Sequence, residues 1–153
     1  MINIKRPVLI LILFSLLVGS SLTISGCDYI TGEAVKIPAL TQPQVVKDIT
    51  STEAYALIQA NAGNRDFIII DVRTPEEYTG GHIENAVNVN YNSGNFSNEI
   101  SRFDKDRTYL IYCRTGVRSA GARDIMKELG FHIVYNMDGG ITDWEAAGLP
   151  IIK

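Results

Sequence analysis

The sequence predicts an α/β domain, with a mainly parallel central sheet flanked by helices on both faces. Three observations carry this. Apolar runs rich in β-branched residues lack the alternation of a half-exposed strand, as expected of strands buried on both faces. Helix signals with recognisable caps separate those runs. The connections are short, which suits repeated strand–helix units rather than hairpins. With 153 residues the chain is long enough for one domain with a real hydrophobic core.

The elements follow in order from Ile49. Thr50-Ser51-Thr52-Glu53 has an N-cap and a capping-box glutamate, so a helix runs through Ala54, Leu57 and Ile58 to a stop at Asn61-Ala62-Gly63-Asn64. Phe67-Ile68-Ile69-Ile70-Asp71-Val72 is the first strongly buried strand. Thr74-Pro75-Glu76-Glu77 supplies a second cap, with proline at the first helical position and glutamate three after the cap. That short helix passes through Tyr78 and ends at Gly80-Gly81. Ala86-Val87-Asn88-Val89 is a further strand, and a weaker helix signal spans Phe96 to Phe103. Thr108 to Tyr112 is a buried strand, Ser119 to Leu129 the best helix, stopped by Gly130, and Ile133-Val134-Tyr135 the last strand. Gly139-Gly140 opens a final helix through Trp144 and Ala147, ending at Gly148.

The start of the chain stands apart from this pattern. Lys5 and Arg6 precede an apolar run, Val8 to Val18, broken only by Ser15, and the small residues Gly19-Ser20-Ser21 follow. That order predicts a secretory signal over residues 1–26. The run falls short of the roughly 20 apolar residues of a membrane-spanning helix. Ile24-Ser25-Gly26-Cys27 resembles the lipobox of bacterial lipoproteins. The resemblance implies lipidation of Cys27, a mature N-terminus at that residue, and a protein exported and anchored to the cell membrane, facing periplasm or exterior. The other reading is an ordinary signal peptide with Cys27 free or in a disulfide. Residues 27–47, with Gly32, Pro38 and Pro43 and no periodicity, read as a tether, and 48–153 as the domain.

Beyond residue 26 the chain carries 12 Lys and Arg against 17 Asp and Glu, a formal charge of −5. This argues against nucleic acid as a partner. With Cys27 lipidated, Cys113 is a lone thiol with no internal disulfide partner.

Cys113-Arg114-Thr115-Gly116-Val117-Arg118-Ser119 lies between a strand and a helix, at a strand's carboxyl end, where ligands of such sheets sit. A thiol attacks as its thiolate, and a free cysteine at pKa near 8.5 is only about 3% ionised at pH 7. Bringing the pKa to about 6.5 gives roughly 75% thiolate and requires about 2.7 kcal/mol. A helix N-terminus supplies only about 0.3–1 kcal/mol, up to ~2 in favourable burial. Arg118, Arg114 and inward-pointing loop amides therefore have to add the remainder. Gly116 lets the loop turn, and Ser119 is placed to cap the following helix. Against this stands Cys113 as a buried, inert residue at a strand end. Two arginines and a glycine in the next five residues favour the activated thiol.

Four segments then resemble a single-domain rhodanese, over about Ile49 to Pro150: Asp71-Val72-Arg73 with Pro75-Glu76-Glu77-Tyr78; Gly81-His82-Ile83-Glu84-Asn85-Ala86; the loop Cys113 to Arg118; and Gly139-Gly140-Ile141 with Trp144. One departure is Glu84-Asn85, where many members have Pro-Gly. The resemblance implies a rhodanese-like fold and a sulfurtransferase. Cys113 would take sulfane sulfur from thiosulfate or a persulfide, a small anionic donor, and pass it to cyanide or a thiol. Arg118 and the loop residues Arg114, Thr115, Gly116, Val117 and Ser119 would hold donor and persulfide, with no metal or organic cofactor. Protein tyrosine phosphatases place an arginine after five residues; here that position is Ser119 and Arg118 comes one earlier, too tight for a phosphoryl group. A persulfide carrier serving a partner protein, and arsenate reductase or phosphatase chemistry, are the alternatives. Asp71 and Arg73 are read as a pair supporting the loop, His82 as structural, His132 as surface and Trp144 as packing.

Overall fold

The computed structural model describes residues 43–153; the signal-like start, Cys27 and the tether up to residue 42 lie outside the described residues. Five strands form one sheet in the order β1-β5-β4-β2-β3, and every named pairing is parallel. The strands are β1 (Val45–Ile49), β2 (Phe67–Asp71), β3 (Ala86–Asn88), β4 (Thr108–Tyr112) and β5 (Ile133–Met137). The helices are α1 (Ser51–Ala60), α2 (Pro75–Thr79), α3 (Phe96–Ile100), α4 (Val117–Glu128) and α5 (Gly140–Ala146).

Central strand β4 shows why both faces must be covered. Tyr109 and Ile111 point into one core with Ile70, Phe96, Ile100, Ala122 and Met126, while Leu110 and Tyr112 point into the other with Ala54, Ile69, Met137 and Trp144. Period-2 alternation therefore distributes an unbroken apolar run between two layers of helices. The four β4 residues after Thr108, and Cys113 beyond them, are all buried. The helices α3 and α4 cover the first face; α1 and α5 cover the second.

Both capping boxes form as the sequence predicts. The Thr50 hydroxyl accepts from the Glu53 amide and Glu53 accepts from the Thr50 amide; Thr74 and Glu77 repeat the exchange at α2. Each satisfies two amides that a helix start leaves unpaired. The Glu84-Asn85 departure is also accounted for. Asn85 adopts φ 63°, a left-handed conformation that asparagine tolerates better than most side chains, so the turn survives without glycine.

Three boundaries differ from the sequence reading. Val45, Val46 and Lys47, assigned to the tether, belong to β1 and pair with Ile133, Val134 and Tyr135. An edge strand with only Ile49 buried carries too weak an apolar signal to be seen in isolation. The last strand continues to Met137, because Asn136 interrupts the apolar pattern yet sits buried with its amide on Asp48. Helix α4 starts at Val117, two residues before Ser119.

Candidate active site

Neighbouring strands β2 and β4 send the chain in opposite directions. After β4 it enters α4 on one face, and after β2 it enters α2, whose Tyr78 packs with the core of the other face. The divergence opens a crevice at their carboxyl ends, the topological switch point of a parallel sheet. Asp71 and Arg73 emerge on one side of it and Cys113 on the other.

The Cys113 thiol is 1% exposed and lies at the foot of its loop. The Gly116 amide donates to Sγ at 3.2 Å and the Ser119 hydroxyl faces it at 3.5 Å. Burial pushes the thiol pKa up. The Ser119 hydroxyl together with the amides of Ser119, Thr115 and Gly116 outweighs that, and the thiol ends below its ordinary value. A thiolate held by converging N–H and O–H donors is the condition for nucleophilic attack.

Gly116 makes this geometry possible. Its φ of 90° is accessible to glycine at little cost, and a Cβ there would come within 3.1 Å of both Asp138 Oδ1 and the Gly139 amide. Gly116 is itself the N-cap of α4, with no side-chain cap bond. Ser119 therefore does not cap the helix. It occupies the first turn, where its hydroxyl has two acceptors for its one proton, the Gly116 carbonyl at 3.0 Å and the sulfur at 3.5 Å, and a thiolate competes for it best. The early helix start explains the difference: it aims the amides of the first turn at Sγ.

A second glycine locks the loop from behind. A Cβ on Gly140 would meet the carbonyl oxygens of Cys113 and Arg114 at 2.5 and 2.6 Å. That close approach lets the Ile141 amide donate to the Cys113 carbonyl at 2.9 Å, and the Thr142 amide and hydroxyl to the Arg114 carbonyl at 3.0 and 2.8 Å. The start of α5 thus fixes the cysteine loop through its main chain.

Asp71 and Arg73 form a buried, multiply bonded pair. Arg73 Nε donates to both Asp71 oxygens at 3.0 and 2.9 Å, Nη2 donates to Oδ2 at 2.6 Å, and Nη2 also reaches the Gly81 carbonyl at 2.6 Å. Asn88 donates to the main-chain carbonyls of both residues. The expected ion pair is formed, and its further bonds go to Gly81 and Asn88. His82 stacks on Tyr78 with ring centres 3.8 Å apart, and its Nδ1 lies 3.0 Å from the Tyr78 carbonyl. Its main chain bridges to Ile152, so its position is structural. Trp144 is buried and donates to the Pro150 carbonyl, and the partly buried His132 lies beside Asp106.

Arg118 has a carboxylate partner that its own loop does not announce. Its Nη1 and Nη2 donate to the two Glu77 oxygens at 2.7 and 2.8 Å. The Arg118 pKa is raised chiefly by Glu77, against some burial, with Cys113 contributing less. Sequence reasoning missed this partner: Glu77 reads as a helix cap, and a separation of 41 positions leaves no local signal. Arg114, Thr115 and Val117 are exposed on the rim. A cleft of ≈400 Å³ beside the loop is lined by Arg73, Glu76, Glu77, Arg114, Thr142 and Glu145, among others. Among the described residues no group of three His, Cys, Asp or Glu side chains is arranged to hold a metal ion.

The family model of the rhodanese-like domain matches residues 50–147. A sulfurtransferase of Allochromatium vinosum is 34% identical over 104 residues, covering 68% of this chain and 95% of that protein. A thiosulfate sulfurtransferase of Pseudoalteromonas translucida is 38% identical over 82 residues, covering 54% of this chain and 76% of that one. Among solved structures, a rhodanese-related protein of Thermoplasma volcanium superposes with a TM-score of 0.60 at 29% identity, covering 69% of this chain and 97% of that one.

Proposed function

The chain belongs to the rhodanese-like family, and from that premise we propose that it is a sulfurtransferase that carries sulfane sulfur on Cys113. One observation supports this above the rest: the Cys113 thiol, at the foot of a six-residue loop, faces the Gly116 amide and the Ser119 hydroxyl and has a lowered pKa. The Cys113 thiolate attacks the outer sulfur of thiosulfate. The S–S bond of the donor breaks and sulfite leaves with the electron pair. The loop amides of Gly116 and Ser119 then hold the resulting persulfide anion. A cyanide ion or an acceptor thiolate attacks the outer sulfur, the Cys113–sulfur bond breaks, and the cysteine leaves as its thiolate. No external oxidant or reductant enters either step. The donor is a small anion such as thiosulfate or a persulfide, and Arg114 at the rim is the cation it meets first.

Intact-protein mass spectrometry after incubation with thiosulfate tests this. Wild type gains one sulfur atom that cyanide removes, and Cys113→Ser gains none. A wild type that stays unmodified with thiosulfate and with persulfide donors, its Cys113 still free to alkylate, overturns the reading. In a second reading the persulfide passes to a partner protein instead of turning over small acceptors. The 76% exposure of Val117, an apolar side chain on the rim of the loop, favours it. Single-turnover loading without steady-state cycling distinguishes the two. Phosphatase or arsenate reductase chemistry is disfavoured, because the loop reaches Arg118 one residue too soon.

We also propose that the protein is exported and tethered to the membrane by lipid on Cys27. Lys5, Arg6, the apolar run Val8 to Val18 and Ile24-Ser25-Gly26-Cys27 support it. Globomycin-sensitive processing and loss of membrane association in Cys27→Ser are the expected outcomes.

A further inference from the structure

Three arginines stand near Cys113, two of which, Arg73 and Arg114, line the cleft beside its loop, yet their charges are not equally free. Arg73 is bonded to Asp71 and Arg118 to Glu77. Arg114 makes no side-chain hydrogen bond or ion pair among the described residues, and it shares the cleft with Glu76, Glu77 and Glu145. A dianion such as thiosulfate therefore meets one unpaired cation and a fringe of carboxylates. That balance includes the Glu77–Arg118 pair, whose Glu77 lines the cleft. The pair is a parallel fork of 2.7 and 2.8 Å bonds, the strongest geometry available to an arginine and a carboxylate.

Glu77 also serves the α2 cap, since its amide donates to the Thr74 hydroxyl at 3.3 Å and its Oε2 accepts from the Thr74 amide at 3.1 Å. The cap fixes the carboxylate before Arg118 arrives. Arg118 is the second residue of α4, whose first turn covers the thiol.

We propose that Glu77 is a positioning and specificity-determining residue, which holds Arg118 beside the cysteine loop while cancelling its charge toward incoming anions. The site accordingly discriminates by donor charge, favouring singly charged sulfane donors over doubly charged ones. This rests on the sulfurtransferase reading. The covalent step is unchanged: the donor S–S bond breaks, its leaving group departs with the electron pair, and Cys113 keeps the outer sulfur. The low Glu77 pKa of about 2, due first to its bonds from Arg118, keeps the carboxylate charged at any working pH.

The test compares kcat/KM for thiosulfate, a dianion, with that for benzenethiosulfonate, a monoanion, in full-length protein. Glu77→Gln preserves shape and one bond but removes the charge. It raises the thiosulfate-to-benzenethiosulfonate ratio by about three- to tenfold, a gain that shrinks as salt is added. It also lowers the pH midpoint of Cys113 alkylation, because Arg118 then acts on the thiolate uncompensated. Glu77→Asp keeps the charge and keeps the ratio near wild type. Thr74→Ala removes the helix cap alone; it lowers stability without moving the ratio.

An unchanged ratio and alkylation midpoint in Glu77→Gln overturn the proposal and leave Glu77 a helix cap. So does a Thr74→Ala that shifts the ratio as far as Glu77→Gln. Failure of the underlying reading looks different: wild type then acquires sulfur from neither donor, although alkylation still reports the effect of Glu77 on the thiol.

Discussion

Two arginine–carboxylate pairs flank the cysteine, and they differ in their access to water. In Asp71–Arg73 the side chains are 0% and 7% exposed, and Arg73 makes a further bond to the Gly81 carbonyl. In Glu77–Arg118 they are 28% and 22% exposed, and Glu77 lines the cleft. The same chemistry thus yields a rigid brace in one place and an adjustable charge in the other. Removing half of a buried pair strands an ion in a medium that cannot solvate it, whereas water compensates the other half of a half-exposed one.

The largest effect comes from breaking the brace. Asp71→Ala is expected to cost about 3–5 kcal/mol, read by chemical denaturation, because Arg73 is left charged and buried. A loss below about 1 kcal/mol, the level of a surface pair, would erase the contrast between the two pairs. Arg73→Ala is expected to be similarly severe, and the double variant less so than the sum of the two.

Gly140→Ala comes next. The added methyl has no room against two carbonyl oxygens, so the loop must shift. A stability loss of about 1–3 kcal/mol is expected, with a higher alkylation midpoint for Cys113 as its loop moves. A normal midpoint would show that the loop holds its shape without the α5 junction.

Ser119→Ala removes one thiolate donor and spares the pairs. The alkylation midpoint rises, and reactivity at pH 7 drops about three- to tenfold, the equivalent of one weak hydrogen bond. No change would assign the thiol's lowered pKa to the main-chain amides alone.

The smallest effect sharpens the comparison at the half-exposed pair. The Glu77 pKa, lowered to about 2 from an ordinary 4.5, makes the pair's contribution complete above pH 4.5 and progressively lost as pH falls toward 2. Solvent screening keeps it modest. Stability curves of wild type and Glu77→Gln should converge near pH 2; a constant gap down to that pH would mean the carboxylate's charge contributes nothing.

Much of this was legible in the chain, and the reasons are local. Both capping boxes, the unbroken run at β2 and the Cys113 to Arg118 loop are decided by residues within a few positions of each other. The pairing of Asp71 with Arg73 is readable because residues two apart at a strand's end reach the same side. Ser119 was read as a cap because a serine before an amphipathic run has that meaning in isolation; the true cap, Gly116, is set by the loop's positive φ.

The elements other than β1, the parallel α/β class and the position of the thiol are set by the chain alone, since they follow from short-range periodicity, capping and loop length. Only the tertiary structure decided which carboxylate holds Arg118, how α5 seats behind the cysteine loop, and that Val45 to Lys47 join the sheet as an edge strand. Those outcomes join residues 28 to 88 positions apart, and such pairings depend on where packed layers bring side chains together. A charge pair across a cleft leaves no trace in the spacing of its members. Its meaning for donor charge arises from the geometry of the folded cleft.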